Sequence, residues 1–267
     1  METEFIKKMI CNDLYKLGVN TGDTLLVHSS LKSLGPVPGK AETVISALLE
    51  VLGNNGTLLF PALSFSSVNA ASPYFDQHKT PCCVGGLAEY FRTRPGTVRS
   101  IHPTHSMSGV GKNAGFLLNN HHLDTTSCGE NSPFRKLKDI PGSKILFIGC
   151  GIAPNTSMHA VEELFNPPYL HGAPLTYRIT TADGKTNSMT VRRHNFAGYA
   201  QTYARMAYLL SPAELRYGNI LCAFCALMDV QAMWQKGCEA LKKDPFYFVR
   251  PLKPQGDIHP RFVTLAR

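Results

Sequence analysis

Apolar and polar positions along the chain alternate between two periods, and the alternation predicts an ordered series of helices and strands. A helical pattern runs over residues 3–17 and stops at Gly18. The run Thr24 to His28 (TLLVH) predicts a strand, and residues 41–52 (AETVISALLEVL) a second helix closed by Gly53. Thr57 to Leu63 (TLLFPAL) predicts another strand, with Pro61 near its end because proline cannot donate to a ladder. Helical signals recur at 85–94 and 110–119, and Ser132-Pro133 forms a cap and first position for a helix over 133–138. A strand over 144–149 then leads into a helix that begins near Ser157. Further on, LTYRITTADGKTNSMTVRRHN holds two strand-like runs around Asp183-Gly184, a hairpin-turn pair. Residues 196–210 and 218–241 read as C-terminal helices. Strands separated by helices argue for an α/β fold with a mainly parallel sheet and covering helices. The pattern shows no repeat and no linker, so residues 1–267 read as one domain with a hairpin insertion near 175–194.

Composition narrows this picture without changing it. At 267 residues and 43% hydrophobic content the chain can bury a sizeable core unaided, and disorder is excluded. No apolar run reaches the roughly 18 residues of a membrane span. The N-terminus, METEFIKKMICNDLYKLG, lacks the layout of a signal peptide, so the sequence predicts a cytoplasmic protein. Eight cysteines show no spaced framework, which fits reduced thiols. Cys222 and Cys225 form CxxC inside a stretch read as helical; a redox pair belongs at a helix start, and zinc needs further ligands, so buried core thiols are expected. The net charge of +8, from 27 basic and 19 acidic residues, favours acidic partners such as phosphorylated cofactors. Only Lys7-Lys8, Arg192-Arg193 and Lys242-Lys243 are adjacent basic pairs, so no nucleic-acid motif emerges.

Three segments carry candidate chemistry. The first is GCGIAPNTSMHAVEE, residues 149–163. Pro154 disfavours helix before it, and Asn155 or Thr156 can cap a helix whose first turn holds His159. Glu162, three positions on, shares its face. The positive helix end favours a neutral imidazole while the carboxylate favours the charged one, a balance suited to a general base near neutral pH. The same spacing also describes an ordinary surface pair. The second segment is VHSSLKSLG, residues 27–35, whose backbone donors and hydroxyls follow a parallel strand where phosphate can bind. It also reads as a plain polar loop. The third is RSIHPTHSMSGVG, residues 99–111, in which His102 and His105 have metal-like spacing interrupted by Pro103. A metal there needs His159 or Glu162 as further ligands. The His121-His122 pair, His171 and His194 have no informative spacing.

Taken together, these segments resemble the aminoglycoside 3-N-acetyltransferase family over nearly the whole chain. The resemblance runs from LYKLGVNTGDTLLVHSSLKSLGPVPGK and GNNGTLLFPALSFSS through RPGTVRSIHPTHSMSGVGKNA, ENSPFRKL and GSKILFIGCGIAPNTSMHAVEE to YGNILCAFCALMDVQAMWQKGCEALKKDPF. It implies a three-layer α/β/α fold, distinct from GCN5-like acetyltransferases, with acetyl-CoA as cosubstrate and no metal. His159 matches the family's catalytic histidine and Glu162 its supporting acid. The resemblance places Ser29, Ser30, Leu31, Lys32, Ser33, Leu34 and Gly35 at CoA, with Ser106 and Met107 in a second cofactor-side segment. It also implies direct transfer with His159 as base, for which Thr156 is a candidate oxyanion donor.

The acceptor stays open between an aminoglycoside amine and another small amine. Polycations call for carboxylates, and the candidates are Asp76, Glu89 and Glu163 beside Glu162, in a chain with a basic excess. The other readings are a metal-dependent hydrolase built on His102, His105 and His159, and a non-catalytic CoA- or nucleic-acid-binding module. The expected partners are acetyl-CoA and a small amine, with neither nucleic acid nor membrane; the oligomeric state is not legible.

Overall fold

Apolar strands buried on both faces order the computed structural model, which describes residues 1–252. In chain order its first half comprises α1 (Glu2–Leu17), β1 (Thr24–Ser29), α2 (Lys40–Leu52), β2 (Thr57–Pro61), β3 (Tyr74–Asp76), α3 (Gly86–Thr93), β4 (Val98–Arg99), β5 (Met107–Gly111) and α4 (Ala114–Leu118). The second half comprises α5 (Pro133–Lys136), β6 (Lys144–Ile148), α6 (Ser157–Phe165), β7 (His171–Thr180), β8 (Thr186–His194), β9 (Tyr199–Gln201), β10 (Leu215–Ile220), β11 (Ala223–Asp229), α7 (Val230–Lys243) and β12 (Val249–Pro251).

Seven strands form the central sheet in the order β10-β11-β6-β1-β2-β5-β4. β1 pairs parallel with β2 and β6, while β5 and β11 run against the other five. The sheet is thus mostly parallel in strand direction. Its alternation sorts side chains into two cores. Leu25 and Val27 of β1, with Leu146 and Ile148 of β6, pack with Leu14, Val44, Leu48 and Phe91 from α1, α2 and α3. Leu26, Ile145 and Phe147 face Leu117, Phe134, Met158, Val161 and Met233 from α4, α5, α6 and α7. Helices on both faces make the three-layer α/β/α fold, and burial on both sides explains the unbroken apolar runs of β1 and β6.

Two expected helices are different structures. Residues 218–241 split into the β10–β11 hairpin and α7. The run AFCALMD is a strand: Cys225 pairs with Ile148 and Met228 with Ile145, and a short apolar run has no period that separates strand from helix. Cys222 therefore lies in a tight turn after Leu221, which has φ 48°. Residues 196–210 contain β9 and a 3₁₀ segment, Tyr203–Tyr208. The predicted helix at 110–119 is shortened to α4, because Met107–Gly111 joins the sheet against β2. Among the described residues, α7 is the one C-terminal helix, not two.

The Asp183-Gly184 hairpin is present as β7 and β8, which with β3 form a separate sheet over Val68, Phe75, Tyr177, Ile179, Met189 and Val191. Its far end carries His194 back toward α6. Among the described residues no helix is long and apolar enough to cross a membrane.

Candidate active site

The carboxyl ends of the parallel strands β1 and β6 meet at one edge, the position where open α/β sheets form crevices. Gly149, with φ 61°, opens the turn after β6, and a Cβ there would stand 1.8 Å from Ser33 Oγ. Glycine lets the two loops touch. The turn ends at Asn155, whose Oδ1 accepts from the Ser157 backbone N–H at 3.1 Å, starting α6 as the sequence predicts. Every residue of α6 from Ser157 to Glu162 is buried. His159 is 6% exposed and Glu162 is fully buried, so the surface-pair reading does not hold.

Glu162 does not reach His159 directly. Its Oε2 lies 3.8 Å from His159 Nδ1, and the hydroxyl of Tyr203 fills the gap. Tyr203 donates to Glu162 Oε2 and lies 2.8 Å from His159 Nδ1. A hydroxyl that donates to a carboxylate accepts from its other neighbour. Nδ1 therefore carries the proton, and Nε2 is the acceptor nitrogen of the ring. The Gln201 side-chain amide stands 3.5 Å from that Nε2. Tyr169 donates to Glu162 Oε1 at 2.8 Å, so two tyrosines hold the buried carboxylate.

A second polar group packs on the same imidazole. His194 stacks on His159 with ring centres 4.4 Å apart, and His105 meets both rings edge-on. His194 Nε2 lies 2.7 Å from Glu163 Oε1. Glu163 also accepts from Thr126 Oγ1 and from the Cys128 N–H. Burial pushes its carboxyl above the usual range in spite of these bonds.

The other expected residues fall into three groups. Ser29 to Gly35 form the β1 loop: Ser30 N–H donates to Ile148 O at 2.8 Å, Ser33 Oγ donates to Ser30 O, and Leu31–Leu34 make one 3₁₀ turn. Cys222 Sγ would lie 3.2 Å from a Cβ on Gly35, so the β10–β11 turn borders the same edge. An apolar recess of about 250 Å³, lined among others by Ile152, Ala204, Tyr217, Phe224 and Ala226, adjoins it. Thr156 precedes α6 and its carbonyl accepts from the His159 N–H at 3.1 Å. Ser106 and Met107 are buried: the Ser106 hydroxyl links Arg99 Nε to Ala62 O, and Met107 packs in the core. Neither side chain is exposed.

His102 also differs from expectation. Its Nδ1 accepts the N–H groups of Thr104 and His105, and its Nε2 donates to Thr126 O. Both nitrogens shape the loop, and burial holds its pKa down to about 3; the set His102, His105 and His159 is not assembled. Of the carboxylates, Asp76 caps the N–H groups of His78 and Lys79. Glu89 is held by Arg92 on α3, in the opposite helix layer. Glu163 serves His194 rather than opening to an acceptor. All eight cysteines are free, and burial pushes Cys225 up to about 11. Tyr203, Tyr169 and His194 carry no signal in the sequence, because each comes from a distant segment with no spacing relative to His159.

The chain belongs to the aminoglycoside 3-N-acetyltransferase family, which it matches over residues 26–242. It is 34% identical over 248 residues, 84% of this chain and 88% of the other, to the SPbeta prophage-derived aminoglycoside N(3')-acetyltransferase-like protein YokD of Bacillus subtilis. It is 36% identical over 264 residues, 89% of this chain and 91% of the other, to an aminoglycoside N(3)-acetyltransferase III of Salmonella sp.. Among solved structures, AAC-IIIb in a binary complex with CoASH superposes with a TM-score of 0.78 at 26% identity, covering 89% of this chain and 96% of that one. A mutant of AAC(3)-IVa in complex with a gentamicin gives 0.78 at 26% identity, covering 92% and 91%.

Proposed function

We propose that the protein transfers the acetyl group of acetyl-CoA directly to an amine of an aminoglycoside, with His159 as general base. The observation that carries this reading is the Tyr203 hydroxyl between His159 Nδ1 and Glu162 Oε2. It holds the tautomer in which Nε2 accepts a proton, and it conveys the carboxylate's stabilisation to the imidazolium, the task an acid performs in hydrolase triads. His159 Nε2 removes a proton from the amine as its nitrogen attacks the thioester carbonyl. The carbonyl bond becomes an oxyanion near the start of α6, where Thr156 is the candidate donor. The tetrahedral intermediate collapses, the C–S bond breaks, and the departing thiolate takes the proton from His159. No covalent enzyme intermediate forms. We assign CoA to the β1 loop, Ser29 to Gly35, with the adjoining apolar recess; the complex of AAC-IIIb with CoASH supports CoA as the ligand.

A second acceptor class has its own support. Asp76, Glu89 and Glu163 are all engaged in local hydrogen bonds, which leaves few carboxylates to attract a polycation, and the net charge is +8. Another small amine therefore stands as the alternative substrate. A thiol-release assay with acetyl-CoA against an aminoglycoside panel and simple amines separates the two. Efficient turnover of several aminoglycosides supports the first reading. Turnover of a simple amine alone supports the second, and no thiol release with any amine rejects both.

A further inference from the structure

We propose that the apolar recess beside the β10–β11 hairpin is the adenine subsite of the cosubstrate, with Tyr217 and Phe224 as its stacking wall. The inference rests on the acetyl-CoA reading above and adds where the nucleotide end of CoA lies. Tyr217 pairs with Ala226 and Asn219 with Phe224, so Tyr217 and Phe224 are diagonal neighbours on one face of the hairpin. Their rings are parallel within 6°, with centres 5.6 Å apart. They are 52% and 63% exposed. The same face carries the buried Phe147, which pairs with Ala226 on the other side. The aromatic row of the core thus runs out to the sheet's corner and ends there uncovered. The rest of the lining is small: Gly151 beside Ile152 after β6, and Ala204 and Ala207 from the 3₁₀ segment after β9. Among the described residues no charged side chain lines this recess of about 250 Å³. An aromatic wall combined with backbone and methyl groups makes a slot for a flat, neutral ring.

Three observations choose the occupant. A nucleobase stacks on aromatic side chains through its π-face and needs no hydrogen-bond readout, and adenine is the flat ring of CoA. The recess is also continuous with the loop assigned to CoA. Phe224 O accepts from the Gly149 N–H at 3.0 Å, a Cβ on Gly149 would meet Ser33 Oγ, and Cys222 Sγ borders Gly35. Finally, Ile152 lies on the turn that leads into α6, and Ala204 directly follows Tyr203. The recess and the proposed base therefore share two segments, as the two ends of one extended cosubstrate require. A cationic acceptor finds no carboxylate in this lining, so the amine has no electrostatic reason to enter it.

The test compares acetyl-CoA with S-acetylpantetheine, a donor that keeps the thioester and lacks the nucleotide. Both rings are exposed, so truncating them opens no core cavity. Phe224→Ala and Tyr217→Ala are each expected to raise KM for acetyl-CoA by about 5- to 150-fold, the range for alanine in place of an aromatic under a stacked base. Their kcat and their KM for S-acetylpantetheine are expected to stay at wild-type values. Ala207→Leu, which fills the slot and leaves the wall intact, is expected to raise the same KM. Tyr15→Ala, at an exposed tyrosine on α1, is expected to behave as wild type. Calorimetry with adenosine bisphosphate, the nucleotide end of CoA without its pantetheine arm, reads the site without turnover and should weaken by the same factor in the two alanine variants. A wild-type KM for acetyl-CoA in both folded alanine variants overturns the subsite and leaves the transferase standing. An equal rise for S-acetylpantetheine also overturns it, by placing the pantetheine arm in the recess. So does a rise confined to KM for the amine, which places the acceptor there. Bisphosphate binding that depends on Phe224, in a protein that acetylates no amine, rejects the transferase reading and keeps the nucleotide subsite.

Discussion

Tyr203 and His159 are joined by a 2.8 Å contact between the phenolic oxygen and Nδ1, although they stand 44 positions apart in the chain. Tyr203 comes from an irregular segment after β9, and His159 from the first turn of α6. Their meeting decides the ring's tautomer. It also turns Glu162 from a direct neighbour of the histidine into a group acting through a hydroxyl, since the carboxylate remains 3.8 Å away.

Tyr203 and Tyr169 donate to the two oxygens of the same carboxylate, and only Tyr203 is bonded to His159. Tyr203→Phe and Tyr169→Phe should therefore cost similar stability, about 1.5–3 kcal/mol for a hydrogen bond to a charged group. They should differ in rate. Tyr203→Phe is expected to lower kcat well below that of Tyr169→Phe, with KM for acetyl-CoA unchanged in both. Denaturant midpoints and steady-state kinetics on the pair check this, and equal kcat values would sink the relay.

His159→Ala should keep CoA binding and lose turnover by roughly 100- to 10,000-fold, the usual contribution of a positioned base. Calorimetry with CoA and the thiol-release rate measure the two properties separately. Near-normal turnover in a folded variant would remove His159 from the reaction.

The helices and strands that made this site legible are those with long, regular patterns. β1, α2, β6 and α6 stand within two residues of where the sequence places them, because each helix packs one apolar face on the sheet and each of the two strands is buried on both faces. The run around Cys225 misled for the opposite reason: a seven-residue antiparallel strand with Ala223 and the four residues from Cys225 to Met228 buried has no helical or strand period to read. His159 and Glu162 share one helix and so announce themselves by spacing. Tyr203, Tyr169 and His194 arrive from loops and a hairpin end, and a tertiary contact of that kind leaves no local trace. The net charge was similarly uninformative about which carboxylates stay available, since that depends on partners such as Arg92 for Glu89.

Gly149 and Gly151 provide a matched pair for the β1 loop. Both have positive φ, 61° and 64°, so alanine at either position bears the left-handed strain of about 1–2 kcal/mol. Only at Gly149 does the new Cβ collide, with Ser33 Oγ; at Gly151 nothing lies within 4 Å. Gly149→Ala is expected to be the less stable variant and to raise KM for acetyl-CoA, because Ser33 must move. Gly151→Ala is expected to keep its KM. An unchanged KM in Gly149→Ala would separate the β1 loop from cofactor binding.

Acid should weaken the fold through buried histidines before it protonates ordinary carboxylates. Burial holds His28 and His102 down to about 3 and His121 well below its usual value, against about 6.5 in an unfolded chain. As pH falls below that value the unfolded state binds protons that the native state refuses. The stability these groups contribute is complete above about pH 6.5 and is lost as pH drops toward 3, by up to about 1.4 kcal/mol per pH unit for each. Glu163 and Asp124 act with the opposite sign, because burial raises their carboxyls and the native state takes those protons first. With His171, which burial also lowers, four histidines stand against two carboxyls and leave a net loss in the interval just below pH 6.5, where the unfolded histidines already titrate. The urea midpoint is therefore expected to fall between about pH 7 and 5 at unchanged m-value. A midpoint that holds constant or rises over that interval would show that the native protein admits protons at these buried rings.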